Sequence, residues 1–533
     1  MENKKLYDEK RILFVLREPQ GRIQEISAYL RALRLPEGFT AEVTSNIEVP
    51  TAACYNAVQR ESNARYKVYI APGTVILEED FLIEMVRLFE KQPEIGIIGL
   101  LGTEQLPTSG LFWDAPSKVG RALLRDGQRI EGKPVSGDCQ DVMAVTDVIA
   151  TQYDVPWRED LFCGEAFLAA SACVEYRRQS YRTVVIASEE DSMLMPNKAQ
   201  SALAEDQERF LDTYSRELYP LVSIIIPTYQ RPEYFRIALT SAVQQTYRNL
   251  VIFITDDSDG NDTKEIYEQY FSQDTRIHYE HHPEYGVVEN WKRVEEYNSL
   301  GGEYVSWLMD DDMILPEKIA KMMDCYFTYP DITLVTSYRQ CMDADGNILP
   351  DIPATRPLSP NSVRIKGETM GRAILMNLCN FVGEPSTVLV RKKDLLDGHC
   401  FGWLEKKKYH GTDYETWLRL LDQGDMIYLN EPLSRFRLHS GQDQRQASTI
   451  LQGLINWGLV IRTAIEQNLF LNDVDARRQA VSRCLAAYGN ALEFFFRKKE
   501  ILGTPVFRDF LKVYEGTVAG LRHNFRFSYQ LDE

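Results

Sequence analysis

Two patterns of hydrophobic positions alternate along the first third of the chain. Short β-rich runs, such as RILFVL at residues 11–16, YKVYIA at 66–71 and IGIIGLL at 95–101, stand between stretches of helical periodicity such as IQEISAYLRALRL at 23–35. Strands that alternate with amphipathic helices are typical of β–α units on a mainly parallel sheet. The pattern therefore predicts an α/β domain over residues 1–188.

The alternation stops and then resumes. Residues 189–220 are charged and rich in helix formers, which predicts a helical linker, and β-rich runs return with LVSIIIP at 221–227 and NLVIFITDD at 249–257. A second α/β domain is predicted over residues 221–444. Residues 445–533 carry helical periodicity only, so the predicted fold class is α/β, with two tandem domains and an α-helical C-terminal region packed on a neighbour.

The two α/β domains look like an internal repeat. YKVYIAPGTVIL at residues 66–77 aligns without a gap on YVSWLMDDDMIL at 304–315, pairing Ile70 with Leu308 and Ile76 with Ile314. The frame is shared, but Pro-Gly-Thr stands where the second copy has three aspartates. The alternative is that any two β–α units look alike at this length.

Composition narrows the possible functions. The 533 residues are 44% hydrophobic and carry a formal net charge of -18, so clustered basic surface for nucleic acid is not expected. No segment approaches the roughly 20 apolar residues of a membrane span, and the N-terminus lacks the apolar core of a signal peptide. Nine cysteines without CxxC pairs argue against a disulfide framework or a zinc site. We therefore expect a cytoplasmic protein.

Polar residues follow three predicted strands of the second domain. The first strand ends in Pro227, Thr228 and Arg231, the second in Asp256 and Asp257, and the third in the Asp310–Asp312 triplet. Ligands of open α/β sheets bind beyond the carboxyl ends of the strands. Turn formation alone would explain the first two strand ends. Three adjacent carboxylates are typical instead of a Mg²⁺ or Mn²⁺ site that holds substrate phosphates.

From residue 221 to about 444 the chain resembles the family 2 glycosyltransferases of GT-A fold. The resemblance lies in six stretches in family order: SIIIPTYQR, ITDDSD, GVVENWKRVEEYNSLGGEYVSWLMDDD, GEPSTVLVRK, GTDYETWLRLL and FRLHSGQ. It implies a GT-A-like, Rossmann-like domain with a mixed, mainly parallel sheet, and the internal repeat would extend that fold to the first domain. It also implies inverting transfer of a sugar from a nucleoside diphosphate donor, usually of uracil, to an acceptor hydroxyl with Mn²⁺ or Mg²⁺.

The resemblance also implies roles for residues near the donor. Pro227, Thr228 and Arg231 would lie beside the nucleotide, Asp256 or Asp257 would accept a hydrogen bond from the base, and Asp310 would hold the ribose. Asp311 would be the principal metal ligand, with Asp310 and Asp312 as further candidates. His439 would reach the metal or the diphosphate, unless it is merely structural. The group Glu384, Pro385 and Ser386 would lie near the donor sugar or the acceptor.

Asp413 is the candidate catalytic base by the same resemblance. A carboxylate beside the acceptor hydroxyl would take its proton during in-line attack. Thr412 stands where the family has a glutamate, which puts any role of that acid in doubt. The alternative role of Asp413 is a helix N-cap ahead of YETWLRLL.

The first domain is predicted to be a degenerate GT-A-like domain without transfer activity. Aligning LAASACVEYRRQSY with TDYETWLRLLDQGD places Ala169 at the position of Asp413. Metal ligand and base would both be missing, so this domain would position an acceptor or a partner. A different active register that uses Asp154, Glu159 or Asp160 is the alternative.

The predicted function is metal-dependent transfer of a hexosyl or N-acetylhexosaminyl group to a glycan, a lipid-linked glycan or a protein. A nucleotide-sugar-binding scaffold without activity is the rival hypothesis. A processive synthase is disfavoured, because membrane spans and a QxxRW motif are absent from the sequence. FFFRKK at residues 494–499 offers a peripheral membrane contact, or core packing with a solvated basic end, and a homo-oligomer stays open.

Overall fold

The computed structural model divides the chain into two compact units, residues 1–219 (unit 1) and residues 220–533 (unit 2). The structure describes residues 6–18, 20–162, 164–188, 190–197, 203–284, 301–395, 413–439, 447–496 and 499–527, together with 290, 293–294, 296–297 and 531. Every structural statement below refers to these residues.

Unit 1 is built on a seven-stranded mixed sheet. Its strands are β1 (Asp8–Leu16), β2 (Thr40–Ser45), β3 (Ala64–Ile70), β4 (Val75–Ile76), β5 (Ile95–Gly99), β6 (Gly102–Thr103), β7 (Arg121–Leu124), β8 (Arg129–Glu131), β9 (Cys139–Asp141), β10 (Ala144–Val145), β11 (Val148–Thr151), β12 (Arg182–Ile186) and β13 (Met193–Met195). Its helices are α1 (Gln20–Ala32), α2 (Thr51–Glu61), α3 (Phe81–Lys91), α4 (Leu168–Arg178) and α5 (Ala204–Leu218).

Unit 2 is built on a ten-stranded mixed sheet, and its helices lie both between these strands along the chain and after the last of them. Its strands are β14 (Val222–Thr228), β15 (Leu250–Asp256), β16 (Ile277–His281), β17 (Tyr304–Trp307), β18 (Met313–Ile314), β19 (Leu334–Met342), β20 (Ile348–Leu349), β21 (Val363–Ile365), β22 (Leu389–Arg391) and β23 (Met426–Arg437). Its helices include α6 (Pro232–Val243), α7 (Asp262–Tyr270), α8 (Lys318–Thr328), α9 (Gly367–Asn377), α10 (Asp413–Gln423), α11 (Ala447–Glu466), α12 (Val474–Phe495), α13 (Lys499–Leu502) and α14 (Pro505–Arg522).

The two sheets share a core of six strands, which confirms the predicted repeat. The order β2-β1-β3-β11-β5-β12 in unit 1 matches β15-β14-β17-β22-β19-β23 in unit 2. Directions match as well, because β11 runs antiparallel to β3 and β5 just as β22 runs antiparallel to β17 and β19, while the other pairs are parallel. The fold is therefore α/β with tandem GT-A-like sheets, as the sequence predicted.

The predicted linker over residues 189–220 is corrected in two respects. Residues 193–195 form β13, which pairs with β4 and β7 of unit 1. Helix α5 packs into unit 1 through buried Phe210 and Tyr214, and the Phe210 ring stacks on Phe167 with centroids 4.9 Å apart. The apolar residues of this charged helix lie on one face, so they bury in unit 1 while the charged face stays outside.

The predicted helical C-terminal region is confirmed, and it shares one hydrophobic core with the sheet of unit 2. The rings of Tyr414 on α10 and Trp457 on α11 stack with centroids 3.9 Å apart. A Cβ at Gly371 of α9 would lie 2.4 Å from the Phe470 ring, so the glycine allows close approach. The described part of residues 445–533 is therefore an integral layer of unit 2.

The predicted membrane contact at residues 494–499 begins with three phenylalanines, Phe494–Phe496, at the end of α12. Phe495 is buried in the core, whereas Phe494 and Phe496 are 47% and 63% exposed. Arg497 and Lys498 lie outside the described residues. No described helix combines the length and apolarity that crossing a membrane requires.

Candidate functional site

Three strand ends of unit 2 meet at one edge of the sheet. β14 lies between β15 and β17, and Thr228 at its end pairs in register with Asp256 of β15. Because all three strands run parallel, the polar residues that follow them point to the same edge. The structure therefore brings together the donor-site residues that the sequence predicted at these three ends.

Asp310 joins the first and third strand ends. Its Oδ2 accepts hydrogen bonds from the Thr228 hydroxyl at 3.1 Å and the Tyr229 backbone N–H at 3.2 Å. Its Oδ1 lies 3.1 Å from Nη1 of Arg231. Burial and the neighbouring Asp311 charge raise the pKa of Asp310 to about 6, against the opposing effect of Arg231.

One carboxylate oxygen of Asp311 contacts both His439 and Arg231. Its Oδ2 lies 3.0 Å from Nε2 of His439 and 3.3 Å from Nη1 of Arg231. The His439 ring also packs on Tyr234, with centroids 5.2 Å apart. The structure thus brings the predicted principal metal ligand, Asp311, to His439, which lies 128 positions later in the sequence.

Asp312 faces the protein. Its Oδ1 accepts the backbone N–H of Arg437 at 3.1 Å, and the nearby Ser386 side chain favours its charged form. Burial and the Asp311 charge raise its pKa well above the ordinary value. The buried Arg437 guanidinium donates to the carbonyls of Asp311, Asp343 and Ala344. Asp312 and Arg437 therefore hold the loop in place.

Asp256 and Asp257 have different surroundings. Both oxygens of Asp256 are occupied, Oδ1 by the Ser258 backbone N–H at 2.9 Å and Oδ2 by the Tyr279 hydroxyl at 2.5 Å. Asp257 accepts from Asn290 Nδ2 at 2.7 Å through Oδ1, while its Oδ2 is buried without a partner among the described residues. Burial above all raises the pKa of Asp257 to about 6.

Asp413 is the first described residue of α10 and is half-buried. Its Oδ2 accepts from Asn380 Nδ2 at 3.0 Å, and its Oδ1 accepts from the Tyr414 backbone N–H at 2.8 Å. Burial and the nearby Glu384 charge raise its pKa to about 7. Thr412 lies outside the described residues.

Glu384 lies near both the Asp310–Asp312 triplet and Asp413. It pairs with the buried Arg339, and its charge raises the pKa of both Asp312 and Asp413. Pro385 and Ser386 follow it in a short 3₁₀ helix, where the Ser386 hydroxyl accepts the Met309 backbone N–H at 3.0 Å. This 3₁₀ helix therefore connects the Asp triplet to the surroundings of Asp413.

Sequence reasoning missed several residues around the site. Arg339, Asn380, Asn290 and Arg437 all contact a predicted site residue or its neighbour. One signal was present, because Arg339 and Arg437 are charged residues inside β-rich runs, and charges are seldom buried unless they are paired. The alternative acids of unit 1 are engaged elsewhere, since Asp154 lies 2.7 Å from Lys67 Nζ and Asp160 pairs with Arg158.

Comparison with protein families matches each unit separately. The family model described as "Glycosyl transferase family 2" matches residues 223–381, and the model described as "Glycosyltransferase like family" matches residues 13–214. Unit 2 carries a family 2 glycosyltransferase domain. Unit 1 carries a second glycosyltransferase-like domain in tandem with it, as the shared strand order indicates.

The relatives are similar to this chain over less than half its length. An uncharacterized glycosyltransferase of Rickettsia typhi is 27% identical over 243 residues, which cover 45% of this chain and 70% of that protein. One of Rickettsia conorii is 26% identical over 43% of this chain and 36% of its own length. The GalNAc(5)-diNAcBac-PP-undecaprenol beta-1,3-glucosyltransferase of Campylobacter jejuni is 24% identical over 41% of this chain and 65% of its own.

Two solved structures are similar to this chain at low scores. Staphylococcus aureus TarS 1-349 in complex with UDP-GlcNAc has 14% identity and a TM-score of 0.36, covering 58% of this chain and 94% of its own. The mannosyltransferase PcManGT of Pyrobaculum calidifontis, in complex with GDP-Man and Mn²⁺, has 12% identity and a TM-score of 0.33, covering 58% and 88%. At these scores neither likeness supports a residue-level comparison.

Proposed function

We propose that the family 2 domain is an inverting glycosyltransferase that takes its sugar from a nucleoside diphosphate donor with the help of Mn²⁺ or Mg²⁺. Residues 383–386 carry the proposal, because the Ser386 hydroxyl accepts the Met309 backbone N–H beside the triplet while Asn380 donates to both the Gly383 carbonyl and Asp413. A donor-binding carboxylate loop and a basic carboxylate therefore flank one position, as displacement at an anomeric carbon requires.

Asp257 is the proposed partner of the nucleobase. Its buried Oδ2 has no partner among the described residues, whereas both oxygens of Asp256 are occupied. An unpaired buried carboxylate oxygen is costly unless a ligand donates to it. A uracil ring offers such an N–H, which supports a UDP-sugar donor. Pro227, Thr228 and Arg231, at and just beyond the end of β14, would then lie beside the nucleotide.

The Asp311 and His439 pair fits a divalent cation. One carboxylate and one imidazole meet at 3.0 Å, and Mg²⁺ or Mn²⁺ takes few protein ligands when diphosphate oxygens complete the shell. No cluster of three protein ligands occurs among the described residues, which agrees with a site that the substrate completes. When bound, the cation would neutralise charge on the departing diphosphate. Arg231 supplies positive charge at the same edge.

Asp413 is the proposed base. It would take the proton of the acceptor hydroxyl as the oxygen bonds to the anomeric carbon and the bond to the diphosphate oxygen breaks. A pKa near 7 suits that role, because about half of such a base is ionised at neutral pH and the ionised form binds a proton well. Asn380 orients the carboxylate through Oδ2. The acceptor class is a hydroxyl of a glycan, whether free, lipid-linked or protein-linked, and the transferred group a hexosyl or N-acetylhexosaminyl residue.

A donor screen tests this function. The full-length protein is incubated with UDP-, GDP-, CDP- and dTDP-sugars in Mn²⁺, Mg²⁺ or EDTA, and release of the nucleoside diphosphate is measured. We expect cation-dependent turnover with a UDP-sugar, loss of that turnover in Asp311→Ala, and normal UDP binding without transfer in Asp413→Asn. The exposed Asp422→Asn on the same helix is the matched control. Proton NMR of the product then reports inversion or retention.

The rival scaffold function gives a different result in the same screen. A protein that only binds nucleotide-sugar would show saturable UDP affinity but no hydrolysis or transfer with any donor, and Asp413→Asn would change nothing. Full transfer by Asp311→Ala and Asp413→Asn would refute the assignment of both residues.

A further inference from the structure

Unit 1 contains an open-mouthed cavity with an empty volume of about 620 Å³, including the solvent at its mouth. Four aromatic side chains and two carboxylates line it. The main lining residues are Tyr55, Tyr69, Phe112, Trp157, Asp147 and Glu165. Tyr55, Tyr69 and Trp157 form one packed cluster, with ring centroids 4.7 to 5.0 Å apart.

The cavity lies at the place in the unit 1 sheet that the catalytic edge occupies in unit 2. Extending the strand registers puts Asp147, just before β11, at the position of Ser386, and Thr74, just before β4, at the position of Asp312. The Thr74 hydroxyl donates to Asp147 Oδ1 at 3.2 Å. In unit 2 the hydroxyl belongs to Ser386 and the acid to Asp312. The acid and the hydroxyl have thus exchanged strands.

A second exchange occurs at the end of β1. Glu18 takes the place of Thr228 by register, and its buried carboxylate accepts the backbone N–H of Gly73, which stands where unit 2 has Asp311. Unit 1 therefore keeps carboxylates at this edge although the triplet itself is lost. Residues 71–74 themselves lack an acid, but Glu18 and Asp147 place carboxylates beside them at the same edge of the sheet.

Helix α4 opens space in the cavity. Ala169 lines it at the position that aligns with Asp413, and Ala166 and Ala170 line it as well. A methyl group where unit 2 has a carboxylate leaves room, but supplies no base. Transfer chemistry is therefore not expected in this cavity.

The lining selects the chemistry of that ligand. Among the described residues that line the cavity there is no lysine or arginine, and its two acids would repel a diphosphate. Asp147 also accepts the Thr146 hydroxyl at 2.6 Å, and Glu165, exposed at the rim, accepts the Thr51 hydroxyl at 2.6 Å. Carboxylates and aromatic faces together suit an uncharged ligand that has many hydroxyl donors and apolar C–H faces.

We propose that this cavity of unit 1 binds an uncharged saccharide, held by hydrogen bonds to Asp147 and Glu165 and by contact with the aromatic wall of Tyr55 and Trp157. The site is distinct from the donor site of unit 2 and does not depend on the transfer activity proposed for it. Unit 1 thereby becomes a glycan-binding module that uses the frame of a glycosyltransferase domain.

Binding of neutral sugars to the full-length protein tests the proposal. Saturating UDP and Mn²⁺ occupy unit 2, and methyl glycosides of glucose, galactose, mannose, N-acetylglucosamine and N-acetylgalactosamine, followed by an array of neutral oligosaccharides, are offered as probes. We expect saturable binding by saturation-transfer NMR with a matching change in tryptophan fluorescence. Trp157→Phe should abolish the fluorescence change and leave binding within a few-fold.

Variants separate this site from others on the chain. Asp147→Asn and Glu165→Gln should each weaken binding at least tenfold, while Glu159→Gln, an exposed acid outside the cavity, and Asp311→Ala in unit 2 should not. UDP release by unit 2 should be the same in the cavity variants as in the wild type. Absence of saturable binding across the whole panel, binding that the cavity variants leave unchanged, or competition by inorganic pyrophosphate would overturn the proposal.

Discussion

Replacement of Asp413 by asparagine distinguishes a catalytic base from a helix cap. Burial and Glu384 raise its pKa from the ordinary value of 3.8 to about 7. A base must be deprotonated to act, so kcat/KM should fall about tenfold per pH unit below pH 7 and level off above it. Asp413→Asn should lower kcat by about 10²- to 10⁴-fold, the usual contribution of a positioned base.

The same pKa shift predicts an opposite effect on stability. The folded protein binds this proton more tightly than the unfolded chain, so the stabilising contribution is complete below pH 4 and is lost as the pH rises through about 7. A shift of about three units corresponds to about 4 kcal/mol at 1.36 kcal/mol per unit, as an upper bound. Asparagine removes the buried charge but loses one of two accepted hydrogen bonds, about 1 kcal/mol.

Asp413→Asn is therefore expected to be nearly inactive and, at pH 8, more stable by about 2 kcal/mol or somewhat more. The assays are a pH series of initial rates from 5.5 to 8.5 and urea unfolding at pH 5 and pH 8, with Asp422→Asn as control. A residue that served only as a cap would instead lose stability at both pH values and keep its transfer rate. A flat pH profile with unchanged stability would refute the argument.

Three further predictions concern contacts outside the base. Asp257→Asn should weaken UDP binding about tenfold or more and should spare binding of inorganic pyrophosphate, because only the nucleobase loses a partner; isothermal titration with both ligands measures this. Arg437→Lys should lower the affinity for Mn²⁺ without removing a metal ligand, since the guanidinium holds the Asp311 backbone, and should cost about 2 to 4 kcal/mol in urea unfolding. Gly371→Ala should destabilise unit 2 by about 1 to 3 kcal/mol, and Phe470→Leu in the same chain should restore part of that loss.

Residues at strand ends were the ones most readily predicted from the sequence. A buried β-rich run followed by carboxylates marks the edge of an α/β sheet, which is why Asp310, Asp311 and Asp257 were found without coordinates. The different surroundings of Asp256 and Asp257 were not predictable, because both residues lie at the end of the same strand. The Tyr279 hydroxyl on the next strand makes the difference, since it donates a hydrogen bond to Asp256.

Residues from distant segments that contact the candidate site residues were not predicted from the sequence. Asn380 reaches Asp413 only through the folded order of α9 and the 3₁₀ helix, and no local periodicity marks it, whereas Arg339 was marked by its charge inside a β-rich run. The helix α5 was predicted as a helix, but its place in the core of unit 1 follows from Phe210 and Tyr214 contacting residues far away in the chain.

The comparison of the two units shows why aligning single segments understates what a degenerate domain retains. Residues 71–74 lack the carboxylates of 309–312, and taken alone they indicate a loss of chemistry. The edge of a sheet, however, is assembled from several strands, and an acid lost from one can be replaced from its neighbour. Glu18 and Asp147 stand opposite Gly73 and Thr74, the positions that Asp311 and Asp312 hold in unit 2. Negative charge is therefore kept at this edge of unit 1, while alanine stands at position 169, which aligns with Asp413. A site with carboxylates but without the proposed base favours binding over transfer.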